Sequence, residues 1–200
     1  MGNQLVRSHL VQSLHVVQHD TVGFVIDSRD IYVLAGAIAS DSVSPSLRDL
    51  AAELHVDHTL VHRSLKRAVE AGLYSPRLQS VNLPAFEELV IHAARFIAPA
   101  PLGPLVAGVP AAWAAEPMAS RIRQSGEDPP PVWPSADGTV RGQLFEPLHP
   151  SAPAAAAEHP QFGEVLVLID SLRVEDLRVR KVAAKLFHDQ LAAVSAKVVA

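Results

Sequence analysis

Residues 46–73 read SLRDLAAELHVDHTLVHRSLKRAVEAGL, and their apolar spacing decides the fold of the first half of the chain. Leu47, Leu50, Ala51 and Leu54 fall on one face of a short helix, and Val61, Leu65, Ala68 and Val69 on one face of a second. Ser44 or Ser46 can accept the orphan amide hydrogens at the start of the first helix, and Asp57 those of the second. His55-Val56-Asp57 makes the turn between them, and Gly72 ends the second helix as the residue just past its C-cap. His55 stands where glycine is usual, a position with positive φ that histidine tolerates better than most side chains.

With the apolar stripe of the second helix turned inward, its opposite face carries His58, Thr59, His62, Arg63, Lys66 and Arg67. No acidic residue lies between His58 and Arg67. Two short helices meeting at small residues (Ala51, Ala52), the second with a basic outer face, form the layout of a helix-turn-helix, in which helix 57–72 would enter the major groove of double-stranded DNA. Thr59, His62 and Arg63 lie in the first two turns, where base edges are reached, and arginine can bond guanine in bidentate fashion. Lys66 and Arg67 lie further along, suited to phosphates. The plain alternative is a helical hairpin with a solvated basic face.

Working outward, Ser28 is placed to cap a helix over 29–39 with Ile31, Leu34, Ala35 and Ile38 on one face. Tyr74 to Val81, with Pro76 and Arg77, falls where a winged helix carries its β-wing, which makes Arg77 a further DNA-contact candidate. Leu83 to Ile97 reads as another helix. Residues 1–27 form an N-terminal arm whose spacing fits either a helix or a pair of strands. Residues 98–160 hold 13 of the chain's 16 prolines, yet Trp113, Val132, Trp133, Phe145 and Leu148 are interspersed, so an irregular, partly packed segment is expected. Within it PPVW and TVRGQLF flank Ala136-Asp137-Gly138 and could pair as a hairpin. Residues 161–200 read as one helix or two, broken near Val174, with a wide apolar face that serves as core or dimerisation surface. The expected fold is therefore mainly α, a winged helix-turn-helix domain over 28–97 followed by the Pro-rich segment and C-terminal helices.

The segment SLRDLAAELHVDHTLVHRSLKRAVEAGL resembles the helix-turn-helix of bacterial winged-helix regulators of the broad MarR-like type. That resemblance implies a homodimer bound to operator DNA. It covers residues 28–97 and stops there. The chain as a whole reads as a cytoplasmic regulator that answers to a small-molecule or protein effector through the region after residue 98. The later stretches GPLVAGVPAAWAAEP and FGEVLVLIDSLRVEDLRVRKVAAKL resemble uncharacterised bacterial helix-turn-helix proteins, which implies no activity.

Bulk properties set bounds. Without cysteine there is no disulfide framework, thiol catalysis or cysteine zinc site. No run of about 18 apolar residues suggests a membrane span. Net charge is −4, so any nucleic-acid contact must come from a local basic face. His55, His58 and His62 are the best histidine cluster, but Thr59 replaces the glutamate of a zincin helix, and no metal or cofactor is expected. Gly103 to Gly108 lacks the lysine and hydroxyl of a phosphate loop. Asp170, Glu175 and Asp176 lie among Arg173, Arg178, Arg180 and Lys181, which suggests a solvated, ion-paired face and no catalytic pair. Two rivals to the regulator remain. One is a protein-interaction module, an antitoxin or adaptor on the same scaffold. The other is an enzyme, whose site would need Asp170, Arg141 and His149 to converge.

Overall fold

The computed structural model describes residues 25–40, 45–123 and 128–199. Among these the chain is mainly helical, with seven α-helices and two small sheets. Helices α1 (Ser28–Ala39), α2 (Leu47–Glu53) and α3 (His58–Glu70) lead into a two-stranded hairpin, β1 (Tyr74–Ser75) and β2 (Ser80–Val81), and then α4 (Leu83–Ile97). Strands β3 (Leu105–Pro110), β4 (Pro131–Pro134) and β5 (Val140–Leu144) follow, and α5 (Ala152–Glu158), α6 (Pro160–Leu172) and α7 (Leu177–Val199) complete the fold.

The helix ends follow local chemistry. Asp27, rather than Ser28, caps α1: its carboxylate accepts from Arg29 and Asp30, and Asp30 accepts in return from the Asp27 amide in a capping box. Burial works against that Asp27 carboxylate, but the bonds from Arg29 outweigh it and hold its pKa below the usual range. Ser46 caps α2 and Asp57 caps α3. Both α2 and α3 end in Schellman turns. The Val56 amide reaches Ala51 O while the His55 amide reaches Ala52 O, and Leu73 and Gly72 repeat the pattern onto Ala68 and Val69. His55 and Gly72 take the positive φ those turns require, 52° and 74°. The stripes are narrower than the spacing suggested, since Leu47 and Val69 reach solvent (40% and 37% exposed).

The 136–138 turn does not make a hairpin. β4 and β5 both lie antiparallel to β3 and run parallel to each other, closing a three-stranded barrel. Pro131 and Pro134 deny β4 two ladder donors, which disfavours a regular hairpin with β5. Glycines permit the closure, because a Cβ on Gly108 would lie 2.1 Å from Trp133 O and one on Gly142 would lie 2.1 Å from Pro130 O. The Pro-rich segment is thus more regular than expected, and it also contains α5. The expected N-terminal arm spans residues 1–27; residues 1–24 lie outside the described residues, and Asp27 belongs to the cap of α1.

One hydrophobic core runs from Ile31 to Leu191, so no layer of water separates the first four helices from the rest. The Tyr32 ring packs on His149 and Phe162, each 5.1 Å away, and its hydroxyl donates to Leu54 O. The expectation of a solvated Asp170 is corrected. It is buried on α6, accepting from Trp133 Nε1 at 2.7 Å and from Arg173, whose guanidinium also reaches Ala98 O and Glu146 O. Burial pushes the Asp170 carboxyl up, with Arg173 and Trp133 pulling against it. Among the described residues, no helix is long and apolar enough to cross a membrane.

Candidate nucleic-acid interface

Helix α3 is fixed from three sides before any partner is considered. Val61, Leu65 and Ala68 are buried in the common core, each large side chain contributing about 1.5–3 kcal/mol by burial. Ser64, a residue whose burial spacing did not reveal, lies at 0% exposure on the same face. At its N-terminus the Thr59 amide donates to Asp57, and hydrogen bonding from the Thr59 side chain first, then from that amide, pulls the exposed Asp57 carboxyl down. At its C-terminus the Gly72 carbonyl accepts from Asn82 Nδ2, which joins the helix to the far end of the β1–β2 hairpin.

The opposite face of α3 presents His58, Thr59, His62, Arg63 and Lys66, all exposed. Arg77 is exposed in the hairpin loop between β1 and β2. These six sequence candidates therefore stand on two adjacent surface elements. The His58 ring approaches Asp57, 3.8 Å from its carboxylate.

Arg67 is the exception, and the expectation that it faces outward is corrected. Its Nε donates to Asp30 Oδ2 at 2.8 Å and its Nη2 to Oδ1 of the same carboxylate, which is wholly buried on α1. That bonding raises the Arg67 pKa further. Arg67 therefore joins α1 to α3 and is withheld from a phosphate. Sequence spacing missed this because Asp30 lies 37 residues away; the one available hint was an acid directly before the apolar run Ile31-Tyr32-Val33-Leu34 of α1.

Among the described residues the histidines do not gather. His55 turns away from His58 and His62 to pair with Glu158 of α5 at 3.0 Å, and its carbonyl accepts from Ser151 Oγ at 2.8 Å. Among the described residues, no three of His, Asp and Glu come together as metal ligands. Asp170 and His149, two members of the imagined catalytic group, have separate structural partners, and Arg141 is exposed on β5. Comparison with protein-family models, curated proteins and solved structures found no match.

Proposed function

We propose that the chain is a winged-helix regulator that binds double-stranded DNA, with α3 in the major groove and the β1–β2 loop as its wing. The observation that carries this reading is the division of α3 into a buried stripe and an exposed, acid-free face of His58, Thr59, His62, Arg63 and Lys66. In this reading Thr59, His62 and Arg63 reach base edges, while Lys66 and Arg77 meet phosphates. A homodimer would place two α3 helices about 34 Å apart on one side of the duplex. The protein would act without catalysis, in the cytoplasm, with an effector acting through the elements after residue 98.

Fluorescence anisotropy on random duplex DNA and on the chain's own upstream region tests this. Binding should fall steeply between about 50 and 200 mM salt, because each phosphate contact releases counterions. Arg63→Ala with Lys66→Ala should abolish it while leaving the thermal melt unchanged. A folded protein that binds neither DNA at low salt would overturn the proposal. One observation favours the rival protein-interaction reading: Leu78, at the hairpin tip, is 70% exposed and apolar. Leu78→Ser should leave DNA affinity within about twofold if the tip follows the phosphate backbone.

A further inference from the structure

Where α1 and α2 end against the junction of α5 and α6, a cavity of about 320 Å³ opens to the surface. That volume is at the lower end of ligand pockets, which run from about 300 to 1,000 Å³. Its walls divide by chemistry. Ala39, Leu54, Pro160 and Phe162 give it an apolar side. Glu53 of α2, which accepts from Ser40 Oγ at 3.4 Å, and Glu158 of α5, an exposed side chain that also meets His55, face it from elements 105 positions apart in sequence; Ser40, His159 and Gln161 complete the polar side, and neither lysine nor arginine lines it.

The fold builds this space. Gly36 lets the Leu54 side chain close onto α1, since a Cβ there would lie 2.4 Å from Leu54 Cδ2. Pro160, whose missing amide hydrogen costs nothing at the first position of a helix, starts α6 immediately after His159, and both residues line the corner between α5 and α6. Glu158 has a second role, as the partner of His55 in the turn before α3.

We propose that this cavity binds a small organic cation: an ammonium group held by Glu53 and Glu158, carrying a short apolar body that lies on Leu54 and Phe162. A carboxylate pair beside an apolar wall selects for that combination, because an anion would meet two like charges and a neutral isostere would leave the charge–charge attraction unused. An ammonium on Glu158 also competes with the His55 ring, so occupancy is felt in the turn that orients α3. The site stands whether or not α3 binds DNA.

Titration calorimetry of the full chain with butylamine, benzylamine and tryptamine tests the proposal, with the matching alcohols and benzoate as controls. At least one amine should bind with a Kd below about 1 mM, and its alcohol about tenfold more weakly or worse. Benzoate should not bind. Glu53→Gln with Glu158→Gln should weaken the amine at least about tenfold, and Ala39→Phe, which fills the cavity, should abolish binding. The same amine should move the His55 ring resonances of the wild type, an arm that needs no variant to fold. Equal binding of amine and alcohol, binding untouched by Ala39→Phe in a folded protein, or no binding of any amine would each overturn it.

Discussion

Replacing Arg67 by alanine separates a residue that holds the fold from its neighbours on the exposed face of α3. The Asp30 carboxylate is 0% exposed, and it accepts from Arg67 through both oxygens and from the Asp27 amide at 3.0 Å. Without Arg67 a buried charge keeps one backbone donor, and removing one partner of a buried pair costs about 3–5 kcal/mol. The Arg67 side chain is 27% exposed, so water screens the site in part, and the lower end, about 3 kcal/mol, is expected. For a chain of this length that lowers Tm by roughly 6–12 °C. The reverse change, Asp30→Asn, should cost less, about 1–2 kcal/mol, because the freed guanidinium can turn to solvent. The double variant Asp30→Asn/Arg67→Met should recover part of the sum, with a coupling of about 1–3 kcal/mol. Urea melts followed by circular dichroism and tryptophan fluorescence read all three, with Arg63→Ala as a surface control expected within about 0.5 kcal/mol of wild type. Arg67→Ala within that same margin, or cheaper than Asp30→Asn, would refute the reasoning.

Two further outcomes can be checked in the same melts. His149 is stacked on Tyr32 and its Nδ1 accepts the Ser151 amide hydrogen, so the ring is held neutral; burial first, then the nearby Arg29 charge, lower its pKa from 6.5. The unfolded chain then takes up a proton before the folded one does, so stability should fall as pH drops below 6.5 through the depressed folded value; His149→Phe should flatten that part of the profile, and an unchanged slope would count against it. Gly→Ala at two positions should cost stability for different reasons: Gly36→Ala by about 1–3 kcal/mol through collision with Leu54, and Gly72→Ala by about 1 kcal/mol through its φ of 74° alone, since nothing lies within 4 Å of a Cβ there. A compensating Leu54→Ala should relieve part of the Gly36→Ala cost and none of the Gly72→Ala cost.

What sequence could reveal was what neighbours in the chain decide. The cap at Asp57, the narrowing of the α2 cap to Ser44 or Ser46, the turn at His55, the stop at Gly72 and the extent of α4 all depend on residues within one or two turns of each other. What it could not reveal were partners set by the tertiary fold. Arg67 and Asp170 each looked like members of solvated charged faces, and each is bound to a group 37 residues away. Strand pairing failed for the same reason. The turn at Ala136-Asp137-Gly138 is present, with the Gly138 amide on Ser135 O, yet β3 draws both flanking strands to itself. The rest of the exposed face of α3, His58, Thr59, His62, Arg63 and Lys66, was legible because exposure there needs no distant partner within the fold.

His55 shows how the two halves of the chain explain one another. In isolation, histidine at a positive φ weakens the helix-turn-helix pattern, since a side chain there costs about 1–2 kcal/mol relative to glycine. Yet this side chain meets Glu158, and the carbonyl beside it meets Ser151, both supplied by the region around α5. Tyr32 closes the other side of the same turn, donating to Leu54 O while its ring lies against His149 and Phe162. A glycine at position 55 would relax the backbone but lose the Glu158 contact, leaving the Ser151 hydroxyl on the His55 carbonyl as the hydrogen bond that remains between the turn and the region around α5. The orientation of α3 is therefore a property of the whole core. A change at the α5–α6 junction can reach α3 through a single hydrogen-bonded step, whereas in a free-standing helix-turn-helix no such connection would exist.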